Sequence, residues 1–112
     1  MEALDTVLAV EGAIVAFDFA PDGQLLASRS RTELTPETLK SLAQVSAAIT
    51  QLFNSLAPAL PALMGSGWSP QNGWLYCGGN LTLVVDNGRR AVVAEAAQVD
   101  LNRTVDALFR SR

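Results

Sequence analysis

Apolar positions along this chain fall into blocks whose period shifts from helical to alternating and back. Leu4, Val7 and Leu8 recur at helical spacing between Met1 and about Val10, and Gly12 ends that first helix. In "AIVAFDF", Ala13, Val15, Phe17 and Phe19 alternate with Ile14, Ala16 and Asp18, the period of a strand. Both sides of that strand are largely apolar, which predicts a sheet covered on both faces. "APDG" follows. Pro21 fixes φ, Asp22 favours the turn and Gly23 tolerates positive φ, so "QLLAS" returns as the second arm of a hairpin.

"LTPETLK" opens a long helix, expected from Pro36 to about Ala57. Thr35 caps it, Pro36 fits its first position, and Glu37 complements the positive end of its dipole. Pro58 and Pro61 end it, and Gly65 and Gly67 open a loop. On this helix Leu39, Leu42, Ile49, Phe53 and Leu56 form one stripe, which Val45, Ala48 and Leu52 widen to one side. Lys40, Gln44, Gln51 and Asn54 share a narrower polar sector. A helix resting on one sheet needs an apolar stripe of only about 100°. The wider arc calls either for deeper burial or for a second neighbour, which in so small a chain can be another copy.

The last third reads as three strands and a helix. "GWLYC", "LTLVVD" and "RRAVVAEA" are separated by "GGN" and by Asn87-Gly88, a strong hairpin signal. Asp100 then caps a final helix with Leu101, Val105, Leu108 and Phe109 on one face. The order is helix, two strands, long helix, three strands, helix. It predicts an α/β chain of the α+β type, a five-stranded antiparallel sheet between helical layers.

Composition narrows the function classes. The 112 residues, 49% hydrophobic and 17% charged, suit a single folded domain spanning 1–112. The net charge of −3, with basic residues scattered, argues against a nucleic-acid partner. No apolar run reaches the length of a membrane span and the amino terminus lacks a signal-peptide pattern, so a cytoplasmic protein is expected.

The element order, "LAVEGAIVAFDFAPDGQLLAS" and the tract "GWSPQNGWLYCGGNLTLVVDNG" resemble the roadblock/LC7 (dynein light chain type) domain family. The words match most closely a small prokaryotic branch of it. The resemblance covers nearly the whole chain. It implies a profilin-like α-β-α sandwich with sheet order 2-1-5-4-3, the third strand lying at an edge. It also implies dimers in which third strands and long helices meet. Typical roles in the family are non-enzymatic: scaffolds in larger complexes, and regulators or platforms for small GTPases.

Little in the chain offers chemistry. Cys77 has no histidine to activate it anywhere in the sequence and is expected to be a small buried hydrophobe. One cysteine and no histidine supply no zinc set, and Asp18, Asp22, Glu95 and Asp100 are too dispersed for a carboxylate site. "GSG" and "GGN" lack the Gly-Lys-Ser/Thr of a phosphate loop and read as turns. No catalytic, cofactor-binding or metal residue is therefore assigned.

Trp74 and Tyr76 share one face of their strand, with Leu75 and Cys77 on the other. On pattern alone the two aromatics are core or interface, and the resemblance favours interface. The expected homodimer surface comprises Val45, Ala48, Leu52, Trp74, Leu75, Tyr76 and Cys77. A proline at Tyr76 would then break the pairing before the subunit unfolds. Trp68 and Asp18, which interrupts an apolar strand, are candidates for a ligand or partner surface. A further protein, a small GTPase among the candidates, is the expected partner. The alternative is a small-molecule sensor or carrier, built around Trp68, Tyr76 and the loop from Met64 to Gly67.

Overall fold

The computed structural model describes residues 3–60, 62, 71–87 and 89–110. Its elements follow the expected order: α1 (Ala3–Leu8), β1 (Ala13–Phe19), β2 (Leu25–Ser30), α2 (Pro36–Leu56), β3 (Gly73–Cys77), β4 (Leu81–Asp86), β5 (Arg90–Glu95) and α3 (Leu101–Arg110). A short 3-10 turn at Ala57–Ala59 closes α2. All neighbouring strands are antiparallel, in the order β2-β1-β5-β4-β3 that the resemblance implied.

Local chemistry accounts for the joints. The β1–β2 turn closes with Gly23 N donating to Ala20 O at 2.8 Å, and Asp22 Oδ1 accepts from Gln24 N at 3.0 Å. Gly23 sits at φ +94°, a conformation a side chain would strain. Thr35 Oγ1 caps α2 by accepting from Thr38 N at 3.1 Å, and Asp100 Oδ1 caps α3 by accepting from Arg103 N at 3.1 Å.

The sheet separates two cores. Val15, Phe17, Phe19, Val85, Ala91 and Val93 face α2, and Ala16, Val84 and Val92 face the layer of Leu4 and Val7 of α1 and Leu108 of α3. Central strands β1 and β5 are buried almost throughout, and for β1 this agrees with its being apolar on both sides.

The seat of α2 corrects the sequence reading. The helix meets the sheet at its centre through Ala43, Ser46, Ala47 and Thr50, and of the expected stripe Leu39 and Leu42 pack only against the margin of that core. Leu39, Leu42 and Ile49 are half-buried, and Phe53 and Leu56 are exposed. The reason is volume: the rings of Phe17 and Phe19 occupy the space under the helix, so only small side chains fit above them. Phe109 is a second, smaller correction, since it lies at the rim of its core and is exposed.

Candidate interaction surface

Because α2 sits down on small residues, Val45, Leu52 and Leu56 are left exposed on its outer side. Val45 is 50% exposed and Leu52 56%, and Ala48 is exposed between them. These three, with Leu56, succeed one another at intervals of three or four residues, so they share one side of the helix. Beside them lies an apolar trough of about 370 Å³, whose walls include Leu42, Tyr76, Leu81, Leu83 and Val93.

The trough runs out to β3, which has a strand neighbour on one side only among the described residues. Its two faces separate as the alternation required. Trp74 packs against the α2-side core, while Leu75, 43% exposed, lines an apolar pocket of about 200 Å³ with Val105 and Phe109 of α3. Tyr76 is 65% exposed. Trp74 ties the strand to the helix. Its indole N–H donates to Thr50 Oγ1 at 2.8 Å, and its ring meets Phe53 edge-on at 5.7 Å between centroids. Gln71 adds a hydrogen bond from Nε2 to Asn54 Oδ1 at 2.8 Å. Gly73 admits no side chain, for a Cβ there would stand 2.5 Å from Val85 O.

Hydrogen-bond parity along β3 decides what its outer edge presents. Asn72 O accepts from Asn87 N at 3.1 Å, and Gly78 N donates to Leu81 O at 2.8 Å. Residues 72, 74, 76 and 78 therefore turn their backbone groups towards β4. Gly73, Leu75 and Cys77 turn theirs outward. The proline test at Tyr76 is corrected by this: Tyr76 N–H belongs to the chain's own sheet, and Leu75, at the middle of the strand, is a position that disturbs the outer edge alone. Cys77 is also corrected. It is an exposed free thiol rather than a buried hydrophobe, because it ends an edge strand where no helix among the described residues covers it.

Asp18 has a structural partner. Its carboxylate receives Arg90 Nε at 2.5 Å and Nη2 at 2.8 Å, and Arg90 N donates to Asp86 Oδ1 at 2.8 Å. β5 brings Arg90 opposite Asp18 on one side and Asp86 on the other. The hydrogen bond to Asp18 raises the pKa of Arg90 above its ordinary value, against the opposing effect of burial.

Trp68 and the loop from Met64 to Gly67 lie outside the described residues, as does Gly88. Among the described residues no group of three His, Cys, Asp or Glu side chains is placed to hold a metal ion. None of their helices is long and apolar enough to cross a membrane.

Charge supplies a signal of this surface that hydrophobic periodicity misses. Between Lys40 and Asp86 the chain has no Asp, Glu, Lys or Arg at all, a run of 45 residues (41 to 85). It contains most of α2 and all of β3. Solvated faces carry charge, and surface at the centre of an interface is depleted of it.

Comparison with known proteins agrees with this architecture. The family model described as "Uncharacterized conserved protein (DUF2173)" matches residues 3–110. No curated protein matches the chain. A roadblock/LC7 domain from Streptomyces avermitilis superposes with a TM-score of 0.78 at 15% identity, covering 96% of this chain and 85% of that one. The gliding protein MglB from Thermus thermophilus gives 0.78 at 21% identity, covering 97% and 79%. An MglB structure in a tetrameric arrangement gives 0.79, with the same identity and coverage. With the family match running from the first helix to the last, the chain belongs to the DUF2173 family, and it has the roadblock/LC7 fold.

Proposed function

We propose that this chain is a non-enzymatic, cytoplasmic protein-interaction module that works as a homodimer through α2 and β3. The observation that carries the reading is the continuity of Val45, Ala48 and Leu52 with the trough at Tyr76 and the outer edge of β3. An uncharged strand edge beside exposed apolar side chains is a hazard unless something covers it. A second copy does so with like surfaces, placing its own α2 over the trough and its β3 against the edge. The resulting dimer is a platform for a further protein, and a small GTPase is the candidate that the roadblock/LC7 resemblance suggests. A tetrameric arrangement of MglB supports self-assembly as a property of chains with this fold.

The test is Leu52→Asp. Full burial of a leucine side chain is worth about 1.5–3 kcal/mol, and roughly half of Leu52 remains to be buried. Twofold symmetry counts the loss twice, so the dimer is weakened by about 2–3 kcal/mol before the desolvation of two carboxylates is added. That is a rise of about 100-fold in Kd. Retained circular dichroism with loss of the dimer is the expected outcome. An unchanged Kd would remove α2 from the interface.

A further inference from the structure

An asparagine followed by a glycine stands at the entry to β3, in the middle of the uncharged run. We propose that Asn72-Gly73 is a site of spontaneous, backbone-assisted deamidation, and that the carboxylate formed there turns the apolar surface from a self-associating one into a solvated one. The second half of this rests on the homodimer reading above, and the first half does not.

The reaction needs water and no other reagent. The Gly73 nitrogen gives up its proton and attacks Asn72 Cγ. A cyclic imide forms as the Cγ–Nδ2 bond breaks, and the amide nitrogen leaves as ammonia with that proton. Water then opens the imide. Attack at Cγ breaks the bond to the Gly73 nitrogen just made and yields aspartate. Attack at the Asn72 backbone carbonyl breaks the original peptide bond and yields isoaspartate, with the main chain now running through Cγ. In sum, a carboxamide and a water become a carboxylate and an ammonium ion.

The structure favours this at Asn72 for three reasons. Bulk on the following residue obstructs ring closure, and packing holds that residue to glycine, since a Cβ on Gly73 would stand 2.5 Å from Val85 O. The attacking N–H is not committed to the sheet, because the parity of β3 turns the Gly73 N–H to the outer edge. Ring closure also requires the Asn72-Gly73 peptide to swivel, a movement that glycine permits. The swivel releases the bond from Asn87 N to Asn72 O, which lies at the end of the β3–β4 ladder, where a sheet opens at least cost.

The product changes the surface in charge and in shape. Residues 41–85 supply no Lys or Arg to pair with a carboxylate at position 72, and Asp86, of like charge, stands across the ladder from Gly73. Burying an unpaired carboxylate is far costlier than burying an amide. Asn72 also borders the apolar pocket of Leu75, Val105 and Phe109, so the new charge enters that pocket. Isoaspartate lengthens the backbone between Gln71, whose side chain is bonded to Asn54, and Gly73. Either product therefore opposes cover of this edge by a second copy.

Ageing of the natural chain tests the site. The protein is held at mildly alkaline pH, folded and dilute in one sample and unfolded in concentrated urea in the other. Peptide mass mapping follows conversion at Asn72 and, separately, at Asn87, which also precedes a glycine. The unfolded sample gives the intrinsic rate. Conversion at Asn72 in the folded chain is expected within about tenfold of it, the margin set by one hydrogen bond at a strand end. A slower rate, or conversion at Asn87 alone, would overturn the site. The consequence is read by sedimentation of fresh protein. Asn72→Asp is expected to raise the Kd of the dimer at least about tenfold, with Asn72→Gln close to the natural chain. An unchanged Kd for Asn72→Asp would overturn the switch. Should Asn72→Asp fail to fold, aged natural protein is separated into dimer and monomer. Converted chains are expected to collect in the monomer, and equal conversion in both fractions would overturn the switch. A fresh natural chain that is monomeric throughout refutes the homodimer reading and the switch with it, an outcome distinct from an inert Asn72.

Discussion

Replacing Asp18 separates a structural role from a binding role for the one carboxylate that interrupts an apolar strand. The Arg90 side chain is 8% exposed and that of Asp18 18%, and two hydrogen bonds join them. In Asp18→Ala the guanidinium keeps its burial and loses its two hydrogen bonds to Asp18. Removing one partner of a buried ion pair costs about 3–5 kcal/mol. The lower end applies here, because the Asp86 carboxylate still acts favourably on Arg90. For a chain of this length about 3 kcal/mol lowers the unfolding midpoint by roughly 12 °C. Asp18→Asn keeps one acceptor and should lose about half as much. The double change Asp18→Leu with Arg90→Met should lose at least as much as Asp18→Ala, since it leaves the buried Asp86 carboxylate without its neighbouring cation. Thermal unfolding followed by circular dichroism measures all three. A midpoint for Asp18→Ala within about 2 °C of the natural chain would refute the reasoning. Loss of a binding partner at unchanged stability would place Asp18 on a functional surface instead.

Further outcomes follow from the geometry of β3 and α2. Leu75→Pro removes an outward N–H and should abolish the dimer while leaving a folded monomer, whereas Tyr76→Pro removes a bond to β4 and should unfold the subunit; equal effects in sedimentation and circular dichroism would contradict the parity of the strand. Thr50→Val removes the acceptor of Trp74 Nε1 and should cost about 1–2 kcal/mol in denaturant unfolding, with a red shift of the Trp74 emission in a Trp68→Phe background; an unshifted spectrum would show that the tie is not made. Ser46→Ala should stabilise the chain by about 1 kcal/mol, because the buried Ser46 hydroxyl finds no partner among the described residues and alanine is the better helix former; a destabilised variant would show that the hydroxyl is bonded after all.

The fold was legible where local chemistry decides it. "AIVAFDF" and "LTLVVD" are β1 and β4 residue for residue, and Thr35 and Asp100 cap the helices they were assigned. Each depends on neighbours within a few positions. What was not legible depends on residues far apart. The seat of α2 is set by Phe17 and Phe19 pressing on Ala43 and Ala47, and a helical projection that weights large apolar residues points elsewhere. Asp18 meets Arg90 across 72 positions of sequence. The direction of the Tyr76 N–H follows from the β3–β4 register, which the alternation of side chains does not reveal. The surface itself was half legible. The breadth of the apolar arc on α2 called for deeper burial or a second neighbour, and Val45, Leu52 and Leu56 are exposed in the subunit. The uncharged run from 41 to 85 marks the same region, and it has no period by which to stand out.

Sedimentation equilibrium of the natural chain, across nanomolar to micromolar concentration, tests the central claim most directly. The expected result is a reversible rise of the weight-average mass from 11.9 kDa to twice that value, with the dimer prevailing at micromolar concentration. A mass that stays at 11.9 kDa across the whole range would contradict it.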